Sequence, residues 1–191
     1  MKVRDLEWTD FHDLIANYYA LYDELPENPT LGITLFARKP SLANEARWFG
    51  GKFAEVLEGV TVASVAEIDG HAVGICEVRQ VGPSEEHHHL GLLGITIAKA
   101  YRDRGVGAAL MASVLEKCRG KFERIELSVF SDNERAKHLY VKFGFVTTGR
   151  EPGRIKRGDR YLDEERMQLD MSRYSPPPPR SAHGATHGAP P

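Results

Sequence analysis

The stretch with the most chemical content runs Ile95-Thr96-Ile97-Ala98-Lys99-Ala100-Tyr101-Arg102-Asp103-Arg104-Gly105-Val106-Gly107-Ala108. An apolar strand ends, a polar turn follows, and two residues without a Cβ open an amphipathic helix. The first N–H groups of a helix have no partner inside it, and the helix dipole adds positive potential there. With Gly105 and Gly107 admitting a ligand close to the backbone, such a turn suits a phosphate or pyrophosphate. Arg102 and Arg104 bring positive charge to the same place. The same spacing also describes a glycine-relieved turn with solvated arginines, and the residues alone leave both readings open. Other phosphate patterns do not match. No Gly-Lys-Ser/Thr follows the glycines, and no third glycine completes a dinucleotide fingerprint.

A second set of candidates lies further along. Asn133 stands at a helix start, where asparagine commonly caps. Tyr140 is one turn from Ala136 on an apolar stripe, so core packing is its plain reading. A phenol of ordinary pKa about 10 stays protonated at neutral pH and can also act as a proton donor. Glu77, Glu85, Glu86 and His89, or a water, are candidates to accept a proton. The triplet His87-His88-His89 suggests a metal, but neighbouring strand residues point to opposite faces, so a solvated loop and no metal site are expected. Cys76, beside Gly74 and Ile75 on a strand, reads as a buried and inert thiol.

These residues need elements to hold them. Alternation makes Met1 to Glu7 a strand, and Thr9 can cap a helix carrying Phe11, Leu14, Ile15, Tyr18, Tyr22 and Leu25 at helical spacing. Residues 31–40 read as loop. Ser41 restarts a helix to Leu57, weakened by Gly50-Gly51. A three-stranded meander follows: Val60 to Ile68, the turn Asp69-Gly70, Ala72 to Val81, then His87 to Ala98. Val106 to Cys118 is a helix and Arg124 to Phe130 a strand. Ser131 with Glu134 reads as a capping box for the next helix, which Gly144 ends. Phe145 to Thr148 and Arg166 to Met171 are the last strands. From Ser175 onward the chain is Pro, Gly, Ala, Ser and His, a composition expected to stay disordered. The order gives a mixed α/β domain over 1–174 and a tail over 175–191.

Composition narrows the function classes. The chain has 191 residues and a formal net charge of −2, too acidic for a general nucleic-acid binder. Residues 1–93 hold 7 Lys/Arg against 15 Asp/Glu, and residues 94–191 hold 18 against 12, so the second half is the one suited to an anion. No apolar run approaches the roughly 20 residues of a membrane helix, and no secretory h-region follows Met1. With 2 cysteines, neither a disulfide scaffold nor a zinc module is expected, and a cytoplasmic location is.

The run Arg102-x-x-Gly105-x-Gly107 resembles the (Gln/Arg)-x-x-Gly-x-(Gly/Ala) motif of the GNAT superfamily of acetyl-CoA-dependent N-acetyltransferases. Asn133, Ala136, Leu139-Tyr140 and Phe143-Gly144-Phe145 resemble its second motif at the family's spacing. The resemblance is strong from Leu92 to Met171 and compatible from residue 1. It implies a central, twisted, mostly antiparallel sheet of about six or seven strands flanked by about four helices. It implies that the backbone of Ile95 and Ile97, with Thr96 between them, pairs with the pantetheine arm of acetyl-CoA. By the same resemblance Arg102, Asp103, Arg104, Gly105, Val106, Gly107 and Ala108 wrap the pyrophosphate. Asn133 then bonds the pantetheine, and Tyr140 lies beside the thioester sulfur. Some relatives place a glutamate on the strand before the Asn helix; Ser128 stands at that position, so that role is not inherited. The stretch Arg124 to Asn133 resembles a branch acting on amino acids, aminoacyl groups or other small amines. The implied partner is a small-molecule or peptide amine, with neither nucleic acid nor membrane, and a homodimer is left open. The rival reading is a non-catalytic coenzyme-binding regulatory module of the same fold.

Overall fold

Asp69 and Gly70 both adopt positive φ, 52° and 81°, which a two-residue hairpin turn demands. The turn sets the register of β2 (Thr61–Ile68) against β3 (His71–Gln80), and β3 pairs in turn with β4 (Leu90–Ile97). The computed structural model describes residues 1–178, so the expected tail lies outside the described residues from 179 onward. The other elements are β1 (Lys2–Arg4), α1 (Phe11–Glu24), α2 (Leu42–Leu57), α3 (Val106–Lys117), β5 (Arg124–Phe130), α4 (Glu134–Lys142), β6 (Val146–Arg157) and β7 (Arg160–Asp170). The strands form one sheet in the order β1-β2-β3-β4-β5-β7-β6, antiparallel except for β4 against β5. This is the mixed α/β architecture expected.

Each face of the sheet carries its own core. On one face α3 buries Val106, Leu110, Met111, Val114 and Leu115 against Cys76, Val78, Ile125, Leu127 and Leu169. On the other, Leu14 of α1 and Phe49 of α2 close over Ala63, Val65 and Ala72. The N-terminal strand is held by Arg4, whose guanidinium donates to both carboxylate oxygens of the buried Asp10 at 2.8 Å and to Glu67 at 2.6 Å.

Four local expectations are corrected. The first strand stops at Arg4, because Asp10, not Thr9, organises the entry to α1 through a bond from the Glu7 N–H. The third meander strand begins at Leu90 rather than His87, since residues 85–87 form a 3₁₀ turn started by Ser84. Asn133 rather than Ser131 caps α4, its side chain accepting from the Ala136 N–H at 3.2 Å. The last two strands are far longer than read, and they meet in a hairpin around Gly158 and Asp159. Residues 149–165 are mostly charged and contain Pro152 and Gly153, so no apolar alternation marks them. Their strands are exposed and held by cross-strand ion pairs, such as Arg150 to Asp163 and Arg166 to Glu151.

Gly91 lets β4 sit tight in this sheet. A Cβ there would lie 2.4 Å from Cγ1 of Val78 and 3.1 Å from the Phe122 ring, both buried. Gly91→Ala should therefore destabilise the domain by about 1–3 kcal/mol through overpacking, read from urea midpoints. An unchanged midpoint would show that the strand has slack there.

Candidate active site

The decisive geometry is a parallel ladder that stops early. β4 pairs with β5 only at Leu90↔Arg124, Gly91↔Ile125 and Leu92↔Glu126. Leu90 accepts from Val81 and Ala98 donates to Val73, so even-numbered residues of this strand bond toward β3. His89 accepts from Arg124, so odd-numbered residues bond toward β5. From Leu93 on the two strands diverge, and the backbone groups of Leu93, Ile95 and Ile97 face a gap.

Two cavities meet at that gap. One, of about 360 Å³, is lined by Ile95, Thr96 and Ile97, by Arg102, Asp103, Gly105, Gly107 and Ala108 of the turn, and by Asn133, Ala136, Leu139 and Tyr140 of the α4 segment. The other, of about 660 Å³, lies over β3 and β4 beneath α1, α2 and the 31–40 loop. Ile33, Ile95 and Thr96 line both.

Most of the sequence-derived residues surround the first cavity, but their side chains divide the work differently. The Arg102 guanidinium is not free for an anion. It donates to the buried Glu24 carboxylate at 2.6 Å and to the Ile97 carbonyl at 3.0 Å. Burial opposes the charge on Glu24, yet the hydrogen bond and charge of Arg102 hold its carboxyl below the ordinary value. Asp103 faces Arg135 at 3.5 Å, and Arg104 is exposed outside the lining. The two glycines also differ. Gly105 caps α3 in the left-handed region at φ 85° with open space where a Cβ would be, so no side chain covers the first-turn N–H groups. Gly107 instead packs, because a Cβ there would meet Leu139 at 3.1 Å and Ile97 at 3.2 Å. Val106 is buried in the core.

Asn133 spends its side-chain oxygen on the α4 cap and turns its amide nitrogen toward Gly32, where a Cβ would clash. Tyr140 is 7% exposed, lines the cavity, and finds no hydrogen-bond partner for its hydroxyl among the described residues. Burial pushes its pKa well up, so the phenol stays protonated and is equipped to donate rather than accept a proton.

Among the proposed bases, Glu77 lines the second cavity and accepts from Lys52 Nζ at 2.5 Å. Glu85 and Glu86 are exposed and His89 is half-buried, and none of the three lines either cavity. Cys76 is fully buried against Met111, and burial raises its thiol pKa far above normal, so it is a poor nucleophile.

Sequence reasoning missed several residues. Arg135, His138 and Lys142 line the first cavity from α4, a cationic wall whose signal was a 3–4 residue spacing of basic side chains. Arg157, from the unread hairpin, donates to the carbonyls of Pro29, Leu31 and Ile33 at 2.8, 3.0 and 2.6 Å and so ties down the 31–40 loop. The lining of the second cavity by Asn44, Glu45, Trp48 and Lys52 had no local signal beyond α2 amphipathicity.

With this geometry in hand, comparison with known proteins is direct. A model of the acetyltransferase (GNAT) family matches residues 8–145. Over 101 residues the chain is 36% identical to the L-amino acid N-acetyltransferase AaaT of Escherichia coli (strain K12), covering 52% of this chain and 62% of that enzyme. The chain thus matches less than two thirds of that relative's length. It is 22% identical over 173 residues to an L-methionine sulfoximine/L-methionine sulfone acetyltransferase of Pseudomonas paraeruginosa (strain DSM 24068 / PA7), covering 90% of this chain and 88% of that one. Its fold matches a ribosomal-protein-alanine N-acetyltransferase from Brucella melitensis with a TM-score of 0.75 and 25% identity, over 89% of this chain and 99% of that one. It also matches a phosphinothricin acetyltransferase from Sinorhizobium meliloti in complex with acetyl-CoA, with a TM-score of 0.69 and 19% identity over 88% and 87% of the two chains. The chain belongs to the acetyltransferase (GNAT) family. No described helix is long and apolar enough to cross a membrane.

The Glu24–Arg102 pair joins α1 to the turn before α3 and yields a pH test. Glu24→Ala strands a guanidinium that is 12% exposed and should cost about 3 kcal/mol in urea unfolding at neutral pH. Because the folded-state pKa of Glu24 is depressed, its contribution is present above its unfolded value and lost as acid protonates it. The gap between parent and variant should narrow below pH of about 4. A gap that does not change with pH would mean that Glu24 acts by shape rather than charge.

Proposed function

We propose that this chain is an N-acetyltransferase that moves an acetyl group from acetyl-CoA to a primary amine of a small molecule, by direct attack in a ternary complex. The observation that carries this reading is the meeting of two cavities at the open backbone edge of Ile95 and Thr96. One is suited to an anionic, extended coenzyme and the other to a compact acceptor.

The residues present fit acetyl-CoA. The N–H groups of Val106, Gly107 and Ala108 have no acceptor among the described residues, and the cap residue has no side chain to supply one. Arg135, His138 and Lys142 add a basic wall on the same side. When bound, acetyl-CoA supplies an activated thioester. The open groups of Ile95 would pair with its pantetheine arm as an added strand, joined by the amide nitrogen of Asn133. Inward-facing N–H groups of Leu93 and Ile95 would stabilise charge building on the thioester oxygen, as fixed dipoles in a dry gap. Glu77, which lines the acceptor cavity, or a water would take the amine's proton, and Tyr140, kept protonated by burial, would donate to the departing sulfur and regain a proton from solvent.

The acceptor reading rests on the larger cavity and on the relatives, whose names specify L-amino acids and methionine sulfoximine or sulfone. Its walls are apolar and aromatic at Leu14, Tyr18, Trp48, Phe49 and Ile75. A small amine with an apolar body matches that shape better than an extended chain, because the 31–40 loop roofs the cavity under the hold of Arg157. A screen of acetyl-CoA against amino acids, polyamines and peptide N-termini, following free thiol, should find acetylation of apolar amino acids or small amines. Coenzyme binding with no acetylation of any amine would leave the regulatory module.

Two variants divide the roles. Tyr140→Phe keeps the ring that packs against Phe145, so folding and acetyl-CoA affinity should hold while turnover falls about 10²- to 10⁴-fold. Equal turnover where chemistry is limiting would remove Tyr140 from the reaction. Lys142→Glu should weaken acetyl-CoA binding about tenfold by calorimetry, and more at low salt than at high. An affinity that ignores this charge reversal would place the phosphates elsewhere.

A further inference from the structure

Glu45 stands out within the larger cavity. It lies in the first turn of α2, is only 5% exposed, and lines the cavity wall. Among the described residues its carboxylate accepts no hydrogen bond and lies within ion-pair reach of no cation. The other charged groups lining that cavity are differently placed. Glu77 is answered by Lys52, whose ammonium also sits 4.9 Å above the Trp48 ring. Lys39 reaches Asp23 at 3.5 Å and lies over the rings of Tyr19 and Tyr22. Arg38 is exposed, at the mouth.

The Glu45 oxygens are not among the sealed, partnerless atoms of the described residues, so they open onto the cavity from a side chain otherwise enclosed by protein, and a carboxylate so placed is answered best by a ligand's cation. The α2 N-terminus offsets part of the cost of its burial through its dipole. Burial raises the Glu45 pKa, and no neighbouring cation opposes that rise. The walls beside it are Tyr18, Trp48 and Phe49, large rings that favour an apolar or aromatic body and, for Tyr18 and Trp48, a cation as well. We infer that Glu45 is the acceptor-binding residue that receives the substrate's ammonium group, in a site built for a primary amine carried on a bulky apolar body. This rests on reading the larger cavity as the acceptor site.

The test uses binding rather than turnover. Phenethylamine and its neutral analogue phenethyl alcohol are titrated, with coenzyme A saturating, into the parent and into Glu45→Gln, which keeps shape and removes charge. The parent should prefer the amine, and the variant should lose about tenfold or more in amine affinity while binding the alcohol within about twofold of the parent. The melting temperature of Glu45→Gln should match or exceed the parent's, since a costly buried charge is gone. The inference is overturned if the parent does not prefer the amine or if both proteins bind it equally. It is also overturned if the alcohol loses as much affinity as the amine, or if the variant melts well below the parent. Acetyl-CoA binding is titrated separately. Its absence, alongside a Glu45-dependent amine site, would sink the acetyltransferase reading and leave the ammonium site standing.

Discussion

The structure depends on a strand that gives up its partner. Backbone N–H and C=O groups are almost always bonded when buried, and an unmet one costs as much as a lost hydrogen bond. β4 nonetheless leaves β5 after Leu92 and turns the groups of Leu93, Ile95 and Ile97 into a gap. The protein closes part of the account itself, since Arg102 donates to the Ile97 carbonyl and is held there by Glu24. What remains open lies where the two cavities join. An incomplete sheet edge in the middle of a domain thus lines both cavities.

The elements around the gap keep it from healing. α3 approaches closely at Gly107, where only a hydrogen fits between Leu139 and Ile97. α4 carries Tyr140 and Leu139 into the space that a continued parallel ladder would have filled. On the far side β5 is fully engaged with β7, from Arg124↔Asp170 to Phe130↔Glu164, so it cannot swing back without breaking seven paired positions. The long, exposed β6–β7 hairpin then has a purpose beyond closing the sheet. Its Arg157 crosses to three carbonyls of the loop that roofs both cavities, and its guanidinium rests 5.3 Å from the Phe130 ring.

How much of this was legible follows from where the signal lies. The meander, α3 and β5 carry apolar periodicity with turn residues at their ends, and the structure places them within a few residues of the reading. Of the β6–β7 hairpin only the outer ends were readable, beside the buried Phe145 and at the buried Met167 and Leu169; residues 149–161 are held by ion pairs and a hydrogen-bond ladder and carry no apolar alternation. The turn before α3 was legible as a site, but Arg102 and Arg104 looked alike in sequence. Only the fold brings Glu24, 78 residues away, against one of them. Asn133 shows the reverse case. Its capping role and its place on a cavity wall were rival readings in sequence, yet one side-chain amide has an oxygen for the cap and a nitrogen left over. Glu45 carried no signal at all, since a glutamate in the first turn of a helix is ordinary until the cavity beneath it is known.

The charge asymmetry of the halves acquires a spatial meaning in this arrangement. The basic second half supplies Arg135, His138 and Lys142 to one cavity, while the first half supplies both carboxylates, Glu45 and Glu77, and three cations, Arg38, Lys39 and Lys52, to the other. Lys52 answers Glu77 locally, which leaves Glu45 as the carboxylate of that wall with no cation beside it. The two cavities therefore differ in which charged groups are left unanswered rather than in the sign of their total charge, and they share the neutral residues Ile95 and Thr96.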